Sequence, residues 1–564
     1  MKRKLVCLLL AFATVFSCFA FAGCTKKSGD TTVEGTTTDS ASLSTVTLTL
    51  WVPTDEDTTE EALLAVEEAI NKITKAKFET AIELHAIPSD EYDAAVDARI
   101  KEIEDHIAFE EEEAARKRKE AASLAALGQT MPPETTAPET TAPEGEDTYI
   151  NDIGMQILKY PEVGEYQMDI FLVRGRENYL SYIDRNALSE LDSELVGDAK
   201  ILTQYIYPTF LSSVKFEGAT YAIPNNHVVG EYQYLLINKR LVDELYWDLD
   251  DMTNLLKCQD FIMDVKERTD VVPFLSEVEA AGMRYWSQDG SFSLIASQIP
   301  SSSNLLTFCQ PRSSLGIKAY SDTILMMKTL KEAGCIAENP EEVEEFGVGI
   351  VAGQASDLAK YEEDYYVKVY QAPLFTEEEV FQAMFAVSTY TKDVGRSMEI
   401  ITALNTDPEL RTVLQYGVED MHWRVNETNT EVIDVISDEY KMNLLETGNV
   451  YMTYPAPGVS KAYWEDGKVQ NLAAQTDPFL GFTEETYITE ENAADYEELA
   501  RYSKEVYDRV VAMTAEEFSA SLTDLRKEIA TNETVAKLVN KEEPVSLASF
   551  YREFYLGNGG QIDE

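Results

Sequence analysis

At 564 residues the chain is too long for one hydrophobic core, so two or three structural units are expected. Its apolar share of 44% is that of a globular protein, but 101 acidic residues against 47 Lys and Arg leave a net charge of −54. A surface of that sign repels nucleic acid and anionic lipid headgroups, which argues against both as charge-bound partners and says nothing about the fold.

The chain opens on a targeting segment. Lys2-Arg3-Lys4 is basic, Leu5–Ala22 is an uncharged apolar run, and small residues follow. Phe21-Ala22-Gly23-Cys24 resembles the lipobox of bacterial lipoproteins, which makes residues 1–23 a signal peptide and Cys24 the lipidated N-terminus. The alternatives are plain secretory cleavage and an uncleaved anchor, since the run is near the lower limit for spanning a bilayer. Residues 24–45 are rich in Thr, Ser, Gly and Asp and form a flexible tether. About 20 such residues reach roughly 25 Å. Cys7, Cys18 and Cys24 belong to this leader. The mature fold keeps Cys258, Cys309 and Cys335, too few and too far apart for a disulfide framework or a metal motif, and they are expected as buried free thiols.

Val46–Trp51 alternates as a strand, and Pro53 is expected to end it. A helix over about Thr58–Ala76 presents Leu63, Leu64, Val66, Ile70 and Ile73 on one side, and Ala81–Ala86 is a second strand. Strand, helix, strand at this spacing begins a parallel sheet. Ser89 is placed to cap a helix that runs on to about Leu127, charged nearly all round over Glu110–Ala122. A repeat of ETTAP follows within Pro132–Asp147, so 102–149 reads as an insertion into the first lobe. Gln167–Val173 is a strand and Arg174-Gly175-Arg176 the loop after it.

Tyr221–Arg240 organises the rest. Tyr221–Pro224 is a short strand, Asn225-Asn226-His227 a polar turn, Glu231–Ile237 a buried strand, and Asn238 the cap of a helix over Lys239–Tyr246. A strand that leaves one unit and starts another is a domain crossing, with a ligand between the lobes. The simpler alternative is one more βα unit in a large α/β domain. Beyond it, Val271–Leu275 and Phe346–Val351 are strands, Tyr285–Gly290 is a polar aromatic loop, and Tyr365–Tyr370 is a return crossing. Val450–Tyr454 is a strand before Pro455, and from Asn492 the chain is helical.

The lipobox, VTLTLWVP, DIFLVRGRENYLSYIDRNALSELD, YAIPNN followed by YLLINK, and DPELRTVLQYG together resemble the family 1 extracellular solute-binding proteins, the lipid-anchored receptors of ABC importers in Gram-positive bacteria. Their order and spacing carry the resemblance. It implies an α/β, two-lobed periplasmic-binding-protein-like fold, with two parallel-rich sheets flanked by helices and hinge crossings between the lobes. The lobes are placed at 46–230 plus about 371–420, and at 231–370 plus about 421–564. The resemblance also implies a monomer on the outer face of the cell membrane. It would capture a carbohydrate, an oligosaccharide, and deliver it to the membrane subunits of an ABC importer, without cofactor.

The residues permit that chemistry on their own. Aromatic rings match the apolar faces of sugars, while Asn, Arg and carboxylates bond hydroxyls. In parallel sheets ligands collect at the carboxyl ends of strands. The candidate ligand residues are Trp51, Arg174, Asn225, Asn226, Glu231, Trp286, Trp423 and Tyr454, with Trp464 a further tryptophan beside a strand end. Each tryptophan also has an ordinary reading as core. No nucleophile motif or glycine-rich phosphate loop is present, and His85, His106, His227 and His422 lack metal-ligand spacing, so no catalytic or metal residues are assigned. A peptide or other small solute remains an alternative ligand. A surface glycosidase or a non-catalytic scaffold remains an alternative function.

Overall fold

The computed structural model describes residues 45–126, 148–150, 156–278, 283–287, 293–298 and 310–557. The leader with Cys24, the tether up to residue 44, the ETTAP repeat and Cys309 lie outside the described residues. The strands of the two main sheets, in chain order, are β1 (Val46–Thr54), β2 (Thr80–Pro88), β3 (Ile170–Val173), β4 (Ala222–Pro224), β5 (Tyr232–Asn238), β6 (Val272–Ser276), β7 (Phe346–Gly353), β8 (Tyr365–Gln371) and β9 (Met384–Val387). Four helices recur below: α1 (Glu60–Phe78), α2 (Tyr92–Ala126), α3 (Arg176–Asp184) and α4 (Ala462–Ala473).

The first sheet has the order β2-β1-β3-β9-β4. β1 pairs in parallel with β2 along its whole length, Val46 opposite Thr80 and Thr54 opposite Pro88, so Pro53 does not end the strand. Thr59 caps α1 by accepting from the Ala62 amide. Glu60 and Glu61 stand in its first turn and Lys75 and Lys77 in its last, the charge order that complements the helix dipole. Val66, Ile70 and Ile73 bury against the sheet. α2 is 35 residues long, about 50 Å at 1.5 Å per residue. Val96, Ile100 and Ile103 anchor its first half, while residues 108–120 are almost entirely exposed. Ser89 does not cap it; the Ser89 hydroxyl accepts from Arg174 instead.

β9 comes from far downstream and inserts antiparallel between β3 and β4. The second sheet has the order β8-β5-β7-β6, in which β5 runs antiparallel to β7 and β8, and β7 parallel to β6. Asn238 ends β5 and caps the next helix by accepting from the Leu241 amide at 3.0 Å. Cys258 and Cys335 are buried free thiols in the core beneath this sheet.

A further core gathers Leu294, Ile295, Leu315, Phe479, Phe518 and Tyr551 from two separated stretches of chain. Here Tyr285–Ser287, expected in a loop, forms a strand paired with Ile295–Gln298, because Trp286 and Ile295 pack into the core made with the C-terminal helices.

Two other expectations fail locally. Val450–Met452 is a 3-10 turn rather than a strand, because the Asn449 side chain accepts from the Tyr451 amide and starts a turn. Within the stretch after about 421, expected in the second lobe, residues 439–442 pack on first-lobe chain. Trp423–Val425 and Ile433–Val435 form a hairpin, and Tyr440 then buries in the first core, its hydroxyl donating to the Leu414 carbonyl at 2.6 Å.

Candidate functional site

The junction between the sheets is built from three chain segments. Residues 227–231 leave the first sheet. Leu374–Phe375 return to it, pairing in parallel with Gln475–Thr476, a third crossing that no sequence signal marked. Gly230 has φ +51°, and a Cβ there would lie 2.9 Å from the Leu374 carbonyl oxygen, so only glycine lets the first two segments approach.

The first crossing is tied to the others by side chains. Glu379 accepts from the Gly230 amide at 2.7 Å, and its other oxygen lies 2.8 Å from His227 Nε2. His227 Nδ1 is 2.9 Å from the Asn225 carbonyl; a carbonyl only accepts, so Nδ1 carries a hydrogen. From α4, Asn471 accepts from the Val229 amide at 2.9 Å and donates to the His227 carbonyl at 2.7 Å. Gln470 donates to the Val229 carbonyl at 3.0 Å.

On the first sheet, Arg174 and Asn225 follow β3 and β4 at the same edge. Arg174 spends its guanidinium inside the lobe. It pairs with Asp93 at 2.9 Å, bonds the Ser89 hydroxyl at 2.8 Å and carbonyl at 2.8 Å, and reaches Glu446 at 3.4 Å. Burial pushes the Glu446 carboxyl up, and Arg174 opposes that. Asn225 donates to the Leu445 carbonyl at 2.9 Å. Asn226 donates to the Tyr205 carbonyl at 3.0 Å and accepts from the Tyr207 amide at 3.3 Å. These residues shape the edge and hold the 443–450 segment over it.

Two groups of aromatic rings follow downstream, Trp423 with Tyr454 and the ring chain Tyr451–Trp464–Tyr463, and the second reaches the second sheet. Trp423, buried, donates to the Gly417 carbonyl at 3.0 Å and lies 5.7 Å from the ring of Tyr454. Lys461 sits 3.6 Å over the Tyr454 ring. Trp464, on α4, donates to the Thr453 carbonyl at 2.8 Å and contacts Tyr451 and Tyr463, each at 5.5 Å. The Tyr463 hydroxyl accepts from Gln354, just past β7, at 2.6 Å.

Glu231, exposed before β5, completes the second-sheet rim. Partial desolvation on the protein side raises its carboxyl, and the Asp357, Glu277 and Glu379 carboxylates raise it further. Asp357 and Glu231 also act on Tyr463, whose hydroxyl burial pushes up. None of Glu231, Asp357 and Glu277 has a cationic partner among the described residues. Three buried polar atoms around this region, Asn225 Oδ1, Gln354 Oε1 and the Tyr451 hydroxyl, also have no hydrogen-bond partner there. Flat rings, carboxylates without cationic partners and unspent polar atoms near a crossing suit a ligand rich in hydroxyls.

Tyr451, Tyr463, Gln354 and Asp357 were not singled out from sequence. The one available signal was AYWEDG, which places Tyr463 next to Trp464. Two predicted site residues lie elsewhere. Trp51 sits within β1, three residues short of its end, because the strand runs on to Thr54. Its indole stacks on His85 at 4.3 Å in a groove on the flank of the first lobe, beside Ala95, Ala98 and Arg99. Trp286 stacks on Phe479 at 4.6 Å and 9° in the C-terminal core. Among the described residues no group of His, Cys, Asp and Glu has the arrangement of a metal site, and no helix is long and apolar enough to cross a membrane.

No family model matches the chain. Over 325 residues it is 24% identical to a carbohydrate ABC transporter substrate-binding protein of Streptococcus pneumoniae serotype 4 (strain ATCC BAA-334 / TIGR4). The match takes in 54% of this chain and 65% of that protein, just under two thirds of its length. Among solved structures, the N-glycan transport solute binding protein (NgtS) of Streptococcus pneumoniae superposes with a TM-score of 0.55 at 16% identity, over 91% of this chain and 99% of that one. The chain thus resembles solute-binding proteins in sequence, and it has their two-lobed α/β fold.

Proposed function

We propose that the protein is an extracellular solute-binding receptor that captures a neutral oligosaccharide between its lobes and passes it to an ABC importer. It works by binding, not catalysis, like the substrate-binding protein it resembles. One observation carries the ligand class. The Glu231 and Asp357 carboxylates, which have no cationic partner among the described residues, act on Tyr463 of the Tyr463–Trp464–Tyr451 rings, and Asp357 and Tyr463 share Gln354 as a hydrogen-bond donor. Carboxylates accept from sugar hydroxyls and rings cover pyranose faces. An anionic ligand would meet those carboxylates, while Arg174 is already paired and the Lys461 ammonium lies over the Tyr454 ring.

The test is a thermal-shift and calorimetric panel of neutral oligosaccharides, anionic sugars and peptides on the purified chain. Neutral oligosaccharides are expected to bind, and Glu231→Gln to weaken the best of them about tenfold, close to 1.4 kcal/mol. A peptide binder with no response to any sugar overturns the ligand class, and turnover of a sugar overturns the receptor reading.

The reading extends to the anchor. The basic, apolar, Ala-Gly-Cys order of the leader supports lipidation at Cys24, on the outer face of a Gram-positive membrane. Cys24→Ala is expected to move the protein from the membrane fraction into the medium. A variant that stays membrane-bound without detergent rules the anchor out.

A further inference from the structure

Beside the third crossing lies a cavity of about 830 Å³ that shares none of the rim residues described above. One wall is first-lobe chain, α3 with Thr209–Glu217, and the other is C-terminal chain, residues 476–481 with Phe554 and Tyr555. Its volume falls within the roughly 300–1,000 Å³ of small-molecule sites. The lining decides what it takes. The hydroxyls of Thr209, Ser213 and Thr476 make no hydrogen bond among the described residues, so each offers a donor and an acceptor. Phe216 and Phe554 supply flat apolar area, one from each wall. The cations are already matched: Lys215 pairs with Asp192 at 3.0 Å, and Arg176 reaches Glu377 at 3.7 Å and Glu485 at 3.5 Å.

We infer that this cavity is a second carbohydrate site, for a neutral saccharide held by free hydroxyls and ring faces from both walls. The inference rests on the carbohydrate reading of the crossing. A neutral polyol fits because matched cations leave no net positive charge for an anion. A strand-like peptide would need a line of unpaired backbone groups, and the walls offer side-chain hydroxyls. Arg176–Glu485 joins the two walls only loosely, so a saccharide between them would bridge first-lobe and C-terminal chain.

The experiment titrates the full chain with a manno-oligosaccharide and a malto-oligosaccharide, by calorimetry and by hydrogen exchange. Two binding events are expected for at least one probe, with exchange protection of residues 209–217 in the second. Ser213→Trp, at a half-buried position that can take bulk, should abolish the second event. Thr476→Val, which removes one hydroxyl and almost no volume, should weaken it about fivefold. Both should leave the first event and the melting temperature unchanged. Glu231→Gln should weaken the first event alone. A single event that responds to Glu231→Gln and ignores Ser213→Trp overturns the second site and leaves the receptor reading standing. Absence of any saccharide binding overturns both.

Discussion

Arg411→Met is expected to destabilise the protein by about 3 kcal/mol, read as a shift in the urea transition of the full chain at unchanged slope. Arg411 is fully buried on the helix Pro408–Tyr416 and pairs with no carboxylate among the described residues. Its guanidinium donates to the Leu444 carbonyl at 2.8 Å, the Gly448 carbonyl at 3.4 Å and the Gln415 amide oxygen at 3.2 Å. Burial pulls it down to about 9, which leaves it charged at neutral pH.

Two effects compete in the substitution. Methionine relieves the desolvation of an unpaired charge, which favours the variant. It also strands buried acceptors at about 1–3 kcal/mol each. Stranding wins because the packing leaves the acceptors nowhere to turn: Gly448, at φ +116°, lies where a Cβ would meet the Leu404 carbonyl oxygen at 2.6 Å. The consequence should reach the rim, because the same loop carries Glu446 to Arg174 and the Leu445 carbonyl to Asn225. Saccharide affinity at the crossing should therefore fall together with stability. A variant as stable as the parent would mean that water enters and replaces the guanidinium.

Trp286→Ala should also act mainly on stability, with a loss of about 3–4 kcal/mol. The indole stacks on Phe479, lies 5.8 Å from Phe482 and 6.4 Å from Tyr487, and Phe479 in turn stacks on Tyr551 at 4.2 Å. Truncation removes the end ring of that stack, half-buried against the C-terminal core, and strips one face of Phe479 of its partner. Saccharide affinity should stay within about twofold, under 0.5 kcal/mol. Tenfold weaker binding at unchanged stability would restore the ligand-contacting role expected from the sequence.

The parts legible in the sequence were those fixed by local chemistry. Alternation gave β1 and β2, the Val66–Ile70–Ile73 stripe gave α1, and Asn238 marked the end of β5 through its cap. What depended on distant pairing was not legible. Met384-Phe385-Ala386-Val387 is apolar throughout, which announces a buried strand but not its place between β3 and β4. The C-terminal core joins residues 294–320 to residues 479–551, and no periodicity in either stretch names the other. At the site, polar residues next to strand ends could be placed on an edge, yet Arg174 and Asn226 turned out to spend their hydrogen bonds on the lobe itself. The ring chain was hidden because Tyr463 and Gln354 sit in helical turns with no motif around them.

The place of β9 also sets the order in which the chain can fold. β3 can pair with β1 early, but the place between β3 and β4 stays open until residues 384–387 emerge, and the entire second sheet is synthesised in between. Pairings of such long sequence separation carry a large loop-closure cost and form slowly. The result is a period with open strand edges, when chains are prone to associate. The net charge of −54 works against that association, because chains still waiting for β9 repel one another.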